Sequence, residues 1–174
     1  MYIAATKSSL DIAYWFFDKA QKTGEYLEAD KLQHMLFLSQ AYFSVAYDEE
    51  QLMPSVFVTT EDGFAEPQLV KIFANGRPYM QSEKLADRVD EFLTDIWTKY
   101  GRFTSKELSE TIKQTEIYKT AISNGNNSII DYLRIIEYYK KDEKKASSSL
   151  DTKKILFTQT GKPVTVTKWQ PKRM

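Results

Sequence analysis

Lys31-Leu-Gln-His-Met-Leu-Phe-Leu-Ser-Gln-Ala-Tyr-Phe-Ser-Val-Ala-Tyr47 carries apolar residues at helical spacing, with Leu32, Met35, Leu36, Ser39 and Phe43 on one face. Asp30 stands where a capping carboxylate accepts an orphan backbone N–H, and the polar run Asp48-Glu-Glu-Gln51 ends the pattern. Pro54 to Thr60 alternates and is β-branched, which predicts one short strand, and Asp62-Gly63 reads as a turn. Pro67 then opens a short helix, because its missing N–H costs nothing at a first helical position. Long helix, strand, corner and helix in succession predict a mainly helical domain.

The flanks extend this pattern. Ser8 predicts the start of a helix through Leu10, Ala13, Tyr14, Phe17 and Ala20 that stops at Gly24. Asn75-Gly-Arg-Pro78 breaks the helix begun at Pro67, and Ser82 reads as the cap of an amphipathic helix through Leu85, Val89, Phe92, Leu93, Ile96 and Trp97, closed by Tyr100-Gly101. Thr104 or Ser105 starts a further helix through Leu108 and Ile112, and Glu116–Ser123 adds a turn or two. Asn127 or Ser128 reads as the cap of a last helix through Ile129, Ile130, Leu133, Ile136 and Tyr139 that runs out in Lys140-Lys-Asp-Glu-Lys-Lys145. Ala146-Ser-Ser-Ser149 has the composition of a flexible linker, and Ile155–Thr160 and Val164–Trp169 around Gly161-Lys-Pro163 predict a β-hairpin arm. The expectation is a single compact helical domain of six to seven helices over residues 1–145, with a short strand segment, followed by a basic β-rich arm over 146–174.

At 174 residues the chain has the length of one domain, and 42% hydrophobic with 28% charged residues is a globular composition. The absence of cysteine excludes disulfides, thiolate zinc sites and cysteine nucleophiles, and fits a reducing compartment. No run reaches the ~20 apolar residues of a membrane helix, and charged Lys7 and Asp11 interrupt the start of the chain before a signal-peptide core, so the expected location is cytoplasmic with no membrane partner. The formal net charge of zero hides an asymmetry: residues 1–139 hold 14 Lys/Arg against 21 Asp/Glu, and residues 140–174 hold 10 against 3. An acidic body thus precedes a basic tail that can fold back, meet an acidic partner or touch nucleic acid.

Chemistry is sparse. His34 is the only histidine, no phosphate-loop glycine pattern occurs, and Asp48-Glu-Glu50 and Glu61-Asp62 read as solvated acidic runs rather than a catalytic pair. No catalytic residue, metal site or cofactor is expected, and the chain reads as a non-enzyme. Trp15, Phe16 and Phe17 point ~100° apart on a helix, so their surface must meet other helices or a partner. In the arm, Lys153, Lys154, Lys162, Lys168, Lys172 and Arg173 interleave with Trp169, a pairing that can hold phosphate and stack bases.

The second helix with Leu32-Gln-His-Met-Leu-Phe37, the extended segment and the Asp62-Gly63-Phe64 corner before Pro67 resemble the Panacea-domain family of SocA-like, phage-associated proteins. Tyr100-Gly101, Glu107-Leu-Ser109 and the Ile129–Tyr139 segment follow in that family's order, and the resemblance covers roughly residues 8–140. The chain departs from the pattern at Asp62-Gly63-Phe64, where the family has an aromatic-Gly-Pro corner, and at Thr111-Ile112, where it has Thr-His. The resemblance implies an antitoxin or a proteolytic adaptor that binds a toxin or client protein by direct contact. Its surface is expected on the second helix and the 55–70 corner, at Lys31, His34, Tyr42, Glu61, Asp62, Gly63 and Phe64. The other readings are a nucleic-acid-associated regulator using the basic arm, and a homodimer.

Overall fold

Ser8 accepts the backbone N–H of Leu10 on its hydroxyl at 3.1 Å, and from it α1 (Ser9–Thr23) runs until Gly24 turns left-handed at φ 73°. The computed structural model describes residues 4–79, 83–150, 154–157 and 163–166. They form α2 (Ala29–Ala46), β1 (Val58–Thr60), β2 (Gly63–Ala65), α3 (Pro67–Phe73), α4 (Asp87–Tyr100), α5 (Ser105–Lys113), α6 (Glu116–Ser123), α7 (Tyr132–Leu150), β3 (Lys154–Phe157) and β4 (Pro163–Val166). The protein is mainly helical, and the contacts divide it into two units, Met1–Ile136 and Glu137–Met174. Among the described residues no helix is long and apolar enough to cross a membrane.

The first unit is built around α2. Thirteen of its eighteen residues are buried, so it is a central helix enclosed on all sides rather than one with a single apolar face. Helices α1, α3, α4 and α5 and strand β2 pack against it. Leu32, Met35, Leu36, Phe37 and Phe43 have no exposed surface, and each such side chain contributes about 1.5–3 kcal/mol relative to leaving it in water.

Enclosure of α2 also decides the aromatic run on α1. Phe16 is buried against Trp97 of α4, Phe17 stacks on Phe73 of α3 at 5.1 Å, and half-buried Trp15 donates its Nε1–H to Asp90 at 2.6 Å. The three successive aromatics diverge as the helix period requires, and each meets a neighbouring element.

Several boundaries differ from the sequence expectation. The residue capping α2 is Glu28, and Asp30 lies in the first turn, where a carboxylate favours the positive end of the helix dipole. The extended segment narrows to β1, which pairs with an unforeseen strand, β2, in register Val58↔Ala65, Thr59↔Phe64 and Thr60↔Gly63. Helix α4 starts at Asp87 after Ala86, not at Ser82, which lies outside the described residues. Helix α7 starts only at Tyr132. Ile129 instead bridges Val58, and Ile130 donates its N–H to the Phe57 carbonyl, so this segment serves as a third rung beside β1. The run Ala146–Ser149, read as a linker, belongs to α7.

In the second unit β3 and β4 form an antiparallel pair, Lys154↔Val166 through Phe157↔Pro163, as the arm's alternating pattern predicts.

Candidate functional site

The hairpin turn is fastened from below by two hydroxyls. Ser109 of α5 donates to the Asp62 carbonyl at 2.7 Å, and the Tyr118 hydroxyl of α6 donates to the carbonyls of Thr60 and Glu61 at 2.7 and 3.2 Å. With its backbone held, the turn leaves the Glu61 and Asp62 side chains exposed. Burial, with Asp62 and Glu61 nearby, raises the Tyr118 pKa, so the phenol keeps the proton it donates. Gly63 has φ 140°, and a Cβ there would come within 3.3 Å of His34 Cε1 and 3.4 Å of Ile112 Cγ2. Glycine is required on both counts, backbone conformation and space.

His34, one turn beyond Asp30 on α2, sits under this turn. It is only 3% exposed, and among the described residues neither ring nitrogen has a hydrogen-bond partner. Burial lowers its pKa below the ordinary value, and the carboxylates of Asp30 and Asp62 pull it partly back. The imidazole is therefore neutral at neutral pH. Leaving a buried polar ring unpaired costs roughly 1–3 kcal/mol, so this arrangement is unusual in a packed core.

His34 borders a cleft of about 360 Å³ lined also by Glu28, Asp30, Asp62, Thr104, Ser105, Lys106 and Ser109. The far wall is the start of α5. Thr104 accepts the Glu107 N–H on its hydroxyl at 3.2 Å, while the Glu107 carboxylate accepts the Thr104 N–H at 2.7 Å and its O–H at 2.9 Å. These bonds lower the Glu107 pKa, and this reciprocal cap ties up the α5 N-terminus.

A second cleft, of about 410 Å³, adjoins the first through Glu28, Thr104 and Ser105 and includes Glu25, Tyr26, Lys31, Gly101, Arg102 and Phe103. The buried Lys31 ammonium donates to the Gly101 carbonyl at 2.5 Å and lies 5.6 Å from the Trp97 ring centroid, so it locks α2 to the α4–α5 connection. Tyr26 is 85% exposed and Phe103 40%, two large apolar side chains beside the recess.

The structure thus gathers Lys31, His34, Asp62 and Gly63 around one surface, with Glu61 next to it. Two expected site residues fall elsewhere. Phe64 is fully buried, stacked on Phe37 at 4.4 Å and edge-on to Tyr118 at 5.6 Å; β-strand alternation sends it inward from the turn, so it is core and not an exposed anchor. Tyr42 lies about three turns along α2 from Lys31, stacked on Tyr100 at 6.0 Å and accepting that residue's hydroxyl proton at 2.9 Å. Sequence reasoning missed Tyr26, Glu28, Phe103 and Lys106 as site residues. The Thr104–Glu107 capping spacing could have flagged the α5 start, but nothing local ties it to His34, 70 residues away in the chain. Of the arm, the Lys154 backbone lies in β3, while Lys153, Lys162, Lys168, Trp169, Lys172 and Arg173 lie outside the described residues. Among the described residues no group of His, Asp and Glu is arranged to hold a metal ion. Comparisons with family models, curated proteins and solved structures give no match to this chain.

Proposed function

We propose that this chain is a non-enzymatic, cytoplasmic protein-binding regulator of the antitoxin or proteolytic-adaptor type, which neutralises or delivers a partner protein by direct contact at the two adjoining clefts. The observation that carries this reading is the exposure of Tyr26 and Phe103 at the rim of a polar recess. Aromatic anchors beside a preformed recess are what protein interfaces use, because they bury large area at small entropic cost. His34 lacks the hydrogen-bonded hydroxyl or carboxylate partner that would make it part of a nucleophile–base pair, which favours recognition over catalysis.

The test is affinity capture with the tagged full chain from its host cells, identification of the bound protein and reconstitution of the complex from purified components. Tyr26→Ala and Phe103→Ala are each expected to weaken that complex by about 1–3 kcal/mol with unchanged melting. Wild-type affinity in both variants overturns the reading. Binding that is lost to nuclease and falls steeply with salt would instead assign function to the basic arm and a nucleic acid.

A further inference from the structure

We propose that the His34 cleft is a receptor for a guanidinium group, the side chain of an arginine presented by a protein partner. The charge of the lining comes first. Glu28, Asp30 and Asp62 face one ammonium, Lys106, and among the described residues none of these four forms an ion pair, so the recess has a negative excess open to solvent. An anion has little to hold, since the α5 N-terminus that would receive it is already closed by the Glu107 carboxylate. The lining lacks the arrangement of ligands that would hold a metal ion.

The second element is the unpaired imidazole itself. A neutral histidine offers one acceptor nitrogen, and His34, 3% exposed with both nitrogens unpartnered, leaves that acceptor idle in the empty cleft. A guanidinium presents five N–H donors in a fixed planar fork and no acceptor, which suits several carboxylates and an imidazole nitrogen set around one recess. It is also less strongly hydrated than an ammonium, so it enters a half-enclosed site at smaller desolvation cost. Ser109, which pins the Asp62 carbonyl, and Gly63, whose missing Cβ leaves room for the His34 ring, hold the receptor in shape before anything binds.

The inference deepens the protein-binding reading by naming the group that the recess would take, and its test needs no knowledge of the partner. The full chain is titrated with N-acetyl-arginine-N-methylamide while the His34 imidazole resonances are followed by NMR; the citrulline analogue, neutral and of similar shape, and the lysine analogue serve as controls. The expected result is a saturable shift of the His34 signals with the arginine derivative, at least about tenfold weaker binding of the citrulline and lysine analogues, and a comparable loss in Asp30→Asn/Asp62→Asn, both exposed positions whose side chains carry no hydrogen bond that the fold needs. Equal binding of the citrulline or lysine analogue overturns the proposal, as does a shift produced by phosphate but not by the arginine derivative. Binding of free L-arginine without binding of the blocked residue overturns its peptide-presented form. An unchanged His34 spectrum also overturns it, while leaving the Tyr26 and Phe103 interface to be decided by its own capture assay.

Discussion

Two stretches of α2 treat buried polar groups in opposite ways. From Ser39 to Ser44 every buried polar side chain is paired: Ser39 donates to the Met35 carbonyl, Gln40 accepts the Met53 N–H and Ser44 donates to the Ala41 carbonyl. In the first turns Lys31 and Gln33 are paired too, to the Gly101 carbonyl and the Glu66 N–H, but His34 between them and the core is not. The helix can evidently satisfy polar atoms along its length, so the exception is not a failure of packing. The paired side chains hold neighbouring segments in place, while His34 borders an open recess and keeps its hydrogen-bonding capacity for something outside the chain.

The comparison is sharpened most by the residue beside the turn that serves structure alone. Phe64→Ala removes a fully buried ring from between Phe37 and Tyr118 and is expected to cost about 3–5 kcal/mol in chemical denaturation. A loss below 1 kcal/mol would return Phe64 to the surface. Next comes Gln40→Leu, which orphans the buried Met53 N–H and is expected to cost about 1–3 kcal/mol by the same measurement. Gly63→Ala combines φ 140° with contacts at 3.3–3.4 Å and is expected to cost about 1–2 kcal/mol and to shift the His34 resonances.

The smallest effect is expected at the exception. His34→Leu forfeits no hydrogen bond and removes an unpaired polar ring, so stability should change by less than about 1 kcal/mol at neutral pH. A loss as large as that of Gln40→Leu would show that His34 is a paired structural residue after all and would erase the contrast.

The pH dependence separates the two variants further. Because burial lowers the His34 pKa, the unfolded chain takes up this proton at higher pH than the folded one. The stability tied to the neutral ring is therefore complete above pH ~6.5 and is lost as pH falls from there toward the folded pKa. Denaturation midpoints from pH 7.5 to 5 should fall more steeply in wild type than in His34→Leu, and parallel curves would contradict a depressed pKa.

How much of this was legible in the sequence depends on the range of the interaction. Local chemistry placed Ser8, Gly24, Pro67 and Thr104 correctly, because a cap or a φ restriction acts within a few residues. The enclosure of α2 was half visible: its apolar content was clear, yet a single-face reading understated a helix packed on every side. Strand β2 was missed because Phe64-Ala-Glu66 is too short to alternate, and its pairing rather than its composition makes it a strand. The α7 start was misplaced since Ile129 and Ile130 look helical in sequence, whereas pairing to residues 57 and 58 draws them out of the helix. Of the site, the resemblance led to the right corner and the right helix. It could not separate Asp62, at the solvent side of the corner, from Phe64 two residues on, nor bring α5 to His34.

The segment 127–130 beside β1 has a consequence for how the chain acquires its structure. Asn127 donates its N–H to the Thr59 carbonyl, Thr59 donates its own N–H to the Ser128 carbonyl, and Thr59 Oγ1 donates to Gly125 at 2.8 Å, so the hairpin's outer edge is completed by residues nearly 70 positions later. Three rungs of hairpin alone are marginal in water, and closing so long a loop is slow compared with forming a helix. The corner above His34 should therefore be among the last parts to form during refolding, after α1 and α2 have docked. Its amides at Val58, Thr59 and Ala65 should gain protection in pulse-labelled hydrogen exchange together with those at Ser128 and Ile130, and not with those of the neighbouring helices.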